Sequence, residues 1–169
     1  MRSQIFAFFS VVALVAGLPM STVKPRAGTA CAPFALLDYS AFQISDGTAG
    51  TAQTQANAAF PDHFTGCDLS TVDATSLQNI QTMREAAESA ETDDFNPQIA
   101  AATGAAATAL QNGKIKNKVL KLTAEVLGLQ IQAAQGADKA SDIATEQKKL
   151  TTNIGLDTKA AGQPSQGVA

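Results

Sequence analysis

Apolar positions recur at helical spacing through most of the chain from residue 38 onward. The cleanest run is Ile115, Val119, Leu122, Val126, Leu129 and Ala133, with steps that alternate between four and three residues. That alternation puts all six on one face of an α-helix. Leu120, Leu127 and Ile131 widen the stripe to that of a core-facing helix. Upstream, Leu77, Ile80, Met83, Ala87 and Ala90 form a second stripe, with Arg84, Glu85, Glu88 and Glu91 outside it. Downstream, Ala140, Ile143, Gln147, Leu150, Ile154 and Ala161 form a third. A further helix is predicted from Asp38, a good N-cap, through Phe42, Ala49, Ala52 and Ala56 to Phe60, where Pro61 ends it. Leu37 and Phe42 occupy the two positions of a hydrophobic staple. Gly47 and Gly50 each weaken this helix by about 1 kcal/mol relative to alanine and mark a kink or a close approach of backbone.

The breaks between these runs are equally legible. Asn96 reads as a cap with Pro97 at the first helical position, where a missing N–H costs nothing. Ile99 to Leu110 is a narrow helix of small residues. Asn112-Gly113 reads as a break with Gly113 as C-cap. Gln135-Gly136 ends the long stripe, and Asp138 starts the last helix. The predicted fold is all-α: an antiparallel up-and-down bundle of four to five helices over residues 34–163. Residues 18–33 read as a flexible lead-in, and residues 164–169 as a frayed, disordered tail.

Residues 1–17 carry a different pattern. Arg2 supplies a positive start, Ile5 to Ala16 is apolar apart from Ser10, and Val15-Ala16-Gly17 offers small residues at a cleavage point. This is the layout of a secretory signal peptide, and it is short of the roughly 20 residues that a spanning helix needs. Lys24 and Arg26 also place a second cleavage after Arg26 among the expectations. No later stretch is apolar enough to span a membrane, so a secreted, extracellular protein is expected, freely diffusing or associated with the cell wall.

Export changes the reading of the two cysteines. Cys31 and Cys67 are the only pair, and in an oxidising compartment they are expected to form one disulfide. Charge is mild overall, with a formal net of −3, but uneven. The stretch from Ala27 to Gly113 is acidic and the stretch from Lys114 onward is basic, so the halves complement each other when packed. A nucleic-acid partner would need a strongly basic face and is not expected.

Candidate chemistry is sparse. His63 is the only histidine, near Asp62 and Asp68, and no nucleophile-elbow sequence surrounds any serine. Glu85, Glu88, Glu91, Asp93 and Asp94 could suggest a carboxylate pair, but acids at helical spacing beside an apolar stripe read as a solvated face. Neither a phosphate loop nor a calcium-binding loop pattern is present. No catalytic residue, metal site or cofactor is therefore expected. Lys114, Lys116, Lys118 and Lys121 form a basic helix start. Their functional reading is a surface contact with an anionic partner; their bland reading is a flank paired with the acidic half. The aromatic residues precede position 96, and Phe42, Phe60, Phe64 and Phe95 are candidates for lining an apolar pocket.

Three segments resemble one known family: YSAFQISDGTAG from Tyr39, FNPQIAAATGAAATALQNGKIKNKVLKLTAEVLGLQIQAAQG from Phe95, and ATEQKKLTTNIGLDTKAAGQ from Ala144. Together they resemble fungal small secreted proteins. The resemblance implies an exported, helical, non-enzymatic protein of the kind discussed as effectors or as cell-surface factors. It supplies no catalytic residues. The expected function is binding at the cell surface or to a partner, an unknown protein or polysaccharide outside the cell. The alternative is a secreted carrier of a small apolar ligand such as a fatty acid or sterol.

Overall fold

The computed structural model describes residues 28–169. The expected signal peptide, the lead-in up to residue 27 and the second cleavage after Arg26 lie outside the described residues. From Gly28 on, the chain forms α1 (Tyr39–Phe42), β1 (Gly47–Thr48), α2 (Ala52–Ala59), α3 (Ala74–Ser89), α4 (Asn96–Ala101), α5 (Gly104–Ala134), α6 (Ala140–Lys159) and β2 (Pro164–Ser165). The fold is an all-α helical bundle with one two-stranded patch, in which β1 and β2 pair antiparallel.

α5 is the mast. It touches α2, α3, α4, α6 and β2. Its apolar stripe lies in the core, with Val119, Leu120 and Ile131 fully buried. Burial also extends to the polar positions Asn112, Lys116, Asn117 and Thr123, because neighbours cover the helix on several sides. α3 and α6 run antiparallel to it. Arg84 on α3 meets Glu125, while Glu91, just past the end of α3, meets Lys114 and Lys118. α3 begins where its sequence has a strong cap: the Asp73 carboxylate accepts the N–H of Ser76 at 2.9 Å and its hydroxyl at 2.6 Å.

Several expectations are corrected. The helix predicted from Asp38 to Phe60 is two short helices separated by an extended stretch. Gly47 (φ 87°) and Gly50 (φ 101°) take left-handed backbone there, which breaks a helix outright. Asp38 makes no capping hydrogen bond, and Leu37 is left exposed, so no staple forms. Asn96 caps nothing: α3 passes through a π-helical segment, Ala90–Phe95, straight into α4. The chain then breaks at Ala102–Thr103, and α5 runs without interruption past Asn112-Gly113.

Gly113 is small for another reason. A Cβ there would stand 1.9 Å from the carbonyl oxygen of Gln166. The glycine lets the chain after α6 cross α5 at backbone distance. Residues 164–169 are accordingly no disordered tail; β2 is part of this crossing. Residues 28–33 are likewise tied down. Ala30 bridges Asp68, Cys31 N–H donates to Thr71 Oγ1 at 2.9 Å, and Cys31 is joined to Cys67.

Candidate functional site

The basic helix start does not form one exposed patch. Lys114, Lys118 and Lys121 lie on the side of α5 that faces α3, one or two turns apart, and they converge on Glu91. Lys121 Nζ lies 2.8 Å from both Glu91 and Glu88, and Lys118 Nζ lies 3.3 Å from Glu91. Burial works against a charged Glu91, but the adjacent Lys121 and Lys118 ammoniums outweigh it and hold its carboxyl below the ordinary glutamate value. Burial opposes the charged form of Lys121 as well, yet Glu88 and Glu91 raise it above the ordinary lysine value. Two turns before Glu91, Arg84 Nε reaches Glu125 at 2.9 Å and its Nη2 reaches Glu85 at 3.3 Å. The acidic α3 and basic α5 thus neutralise one another along their seam.

Lys116 is removed from any surface contact. It is fully buried, and its Nζ donates to the carbonyls of Asp46 at 2.8 Å and Thr48 at 3.2 Å. Burial lowers its ammonium from the ordinary lysine value, against the pull of Asp157 and Asp46. Around it lies a polar interior that sequence reasoning missed. Asn117 donates to Ala87 O at 2.8 Å and accepts from the Tyr39 hydroxyl at 2.9 Å. Burial pushes that hydroxyl up to about 12. Asp157, on α6, accepts the N–H groups of Gly50 and Ala52 at 2.9 Å each and so caps α2. The available signal was position: Lys116 and Asn117 fall three residues before the core positions Val119 and Leu120 on the same helix, where a polar side chain needs a dedicated partner.

The candidate pocket aromatics do not share a cavity. Phe60 stacks at 5.9 Å on Phe34 and meets Phe42 edge-on at 5.9 Å, while Phe64 stacks on Phe34 at 5.6 Å. These rings fill the core. Phe95 is fully buried elsewhere, beside Gly113. None of the four lines a cavity described here. His63 sits edge-on to Phe34 and Phe64 with its Nε2 3.2 Å from Pro33 O, and Asp68 turns instead to Ser70. Among the described residues no three His, Cys, Asp or Glu side chains group as a metal site.

The open space lies elsewhere. A groove of about 370 Å³ runs between α3, α5 and α6, lined by Arg84, Glu88, Lys118, Lys121, Glu125, Glu146 and Lys149, with Leu122 and Asn153 completing it. It exists because the first half of α6 packs lightly; Leu150 is that helix's first buried residue. Charges of both signs line it, so it suits a polar partner rather than a lipid. Among the described residues no helix is long and apolar enough to cross a membrane.

A domain family of unknown function, DUF8454, matches residues 34–169. The chain belongs to that family. The DUF8454 match takes in the whole bundle, the Lys116 interior, the groove and β2, and it begins just after Cys31, so one partner of the disulfide lies outside it. No curated protein and no solved structure matches the chain.

Proposed function

We propose that the chain is an exported, extracellular binding protein that acts on a polar partner, a protein surface or polysaccharide, and is not an enzyme. The observation that carries this reading is the Cys31–Cys67 disulfide, with Cα atoms 4.9 Å apart. Such bonds persist in oxidising compartments. The signal-peptide layout of residues 1–17 and the resemblance to fungal small secreted proteins support the same address.

Two arrangements support binding over catalysis. Two buried charged side chains are engaged structurally: Lys116 holds two carbonyls and Asp157 holds two N–H groups. Two concave surfaces of about 370 Å³ each on the α5–α6 side are walled largely by charged side chains. Of the aromatic residues that would serve an apolar carrier, Phe42, Phe60 and Phe64 pack in one cluster with Phe34 instead, and Phe95 is buried apart from them.

Secretion of the full chain from a fungal host, followed by N-terminal sequencing and non-reducing mass measurement, tests the address. The expected product starts at Leu18 or Ala27 and carries the disulfide. An uncut protein retained in the cell overturns export. Affinity capture from culture fluid, repeated with Lys118→Glu and Lys149→Glu, tests the groove. Turnover of an esterase, glycosidase or protease substrate that one His63 or glutamate substitution abolishes would overturn the non-enzymatic reading.

A further inference from the structure

We infer that the channel between residues 43–50 and the first half of α5 is a binding site for an extended peptide, and that residues 163–167 are its resident occupant. Five consecutive residues of this strap are each held by a separate bond to the channel walls. Gln163 O accepts from Ala49 N–H at 3.0 Å, and Pro164 O accepts from Asn112 Nδ2 at 2.8 Å. The Ser165 hydroxyl donates to Ser45 O. Gln166 N–H donates to Ala109 O at 3.0 Å, and Gly167 N–H donates to Asp46 Oδ1 at 2.8 Å. The anchors alternate between the loop wall and the α5 wall, and none of these five comes from α6, the helix that delivers the strap. Main-chain bonds on both sides, with one buried side chain at Ser165, are the way an added strand is recognised.

The floor selects backbone. At Gly113 a single added methyl would meet the Gln166 carbonyl at 1.9 Å, so only a flat, extended segment can cross. Asn112, buried on the same turn, supplies a side-chain donor where a helix interior has no spare N–H. The strap itself is held almost wholly by hydrogen bonds. Gln163, Pro164 and Gln166 stay exposed, and Gly162, with φ 81°, turns the chain into the strap with its N–H donating to Ala49 O at 3.1 Å. A segment that buries little apolar area opens locally at low cost without unfolding the core. The site therefore accepts the same extended segment in trans once its own copy is released.

The test uses two variants and one probe, a fluorescent synthetic peptide of residues 163–169. A chain lacking residues 163–169 is expected to bind the peptide saturably and in preference to a scrambled one, with the intact chain binding at least about tenfold more weakly because its site is filled. In the intact chain, Gly113→Ala keeps the helix, since alanine favours it, but expels the strap. Amide exchange at Gln166 and Gly167 is then expected to accelerate at least about tenfold while exchange in the rest of α5 holds. A folded shortened chain that treats both peptides alike, or a Gly113→Ala chain with unchanged exchange at Gln166 and Gly167, overturns the inference. If the shortened chain fails to fold, the exchange measurement on the intact Gly113→Ala chain decides.

Discussion

Asp157 caps a helix to which it does not belong: its Oδ2 lies 2.9 Å from the N–H of Ala52, the first residue of α2, 105 positions earlier in the chain. Its Oδ1 takes the N–H of Gly50 at the same distance. Thr51, the local cap residue, makes no side-chain capping bond, so α2 relies on this remote carboxylate.

Asp157→Ala is therefore expected to cost about 2–3 kcal/mol, since it strips the acceptor from two N–H groups, that of Ala52 buried. In a chain of this size that lowers Tm by roughly 4–12 °C in a thermal melt. Asp157→Asn, which keeps one acceptor oxygen, is expected to fall between that variant and the parent. Equal melting of all three proteins would remove Asp157 from any capping role.

Glu91 gives the fold an acid-sensitive seam. Its carboxyl is held below the ordinary value of 4.5 by Lys121 and Lys118 in spite of its burial. A carboxylate depressed in the folded state contributes stability that is complete well above its unfolded value and is lost as pH falls through the folded one. Asp46, lowered by the Gly167 N–H and the Gln43 amide, acts in the same direction. Urea unfolding is expected to show a plateau near neutrality and a decline below about pH 4.5. Glu91→Gln is expected to cost about 1–3 kcal/mol at neutral pH. It should also flatten that decline, and a variant with the parent's full acid slope would refute the assignment.

The disulfide closes a loop whose ends are 36 residues apart. Its removal, by Cys31→Ser with Cys67→Ser or by reductant, is expected to destabilise the fold by about 4 kcal/mol in the chain-entropy model. The two routes should give matching melting curves. A reduced protein as stable as the oxidised one would show the bond to be a bystander.

Phe60 is fully buried between Phe34 and Phe42. Phe60→Ala is expected to cost about 3–5 kcal/mol, and Phe60→Leu markedly less, because leucine refills most of the cavity. Denaturant midpoints at unchanged m-value would read this directly.

The helices were legible in the sequence wherever burial alone specified them. On α5 the predicted positions Val119, Leu122 and Val126 are buried while Ile115, Leu129 and Ala133 are only partly so, and Leu120, Leu127 and Ile131 carry the centre of the core face; on α3 the stripe is buried at Ile80, Met83 and Ala87. Glycine was where legibility failed. Gly47 and Gly50 end a helix through backbone angle, whereas Gly113 sits inside one because another strand of chain crosses it. The two uses look alike in one dimension. The polar strap failed for a related reason: GQPSQGVA has almost nothing to bury, and what holds it is the placement of Asn112, Ala109 and Asp46, known only once the fold closes. Asp157 carries no signal of its own in the sequence, since its partners are two backbone groups far back in the chain.

The reach of those long contacts bears on how the chain is made. The cap of α2 and the Ser45–Ser165 contact join residues 105 and 120 positions apart. At a synthesis rate of roughly 5–20 residues per second, the segment around α2 waits on the order of 5–20 s for the residues that complete it. Through that interval α2 lacks the carboxylate that caps it and the loop before it lacks the strap that crosses it. The late arrival of Asp157 and Ser165 therefore makes closure of this corner one of the last steps in forming the fold.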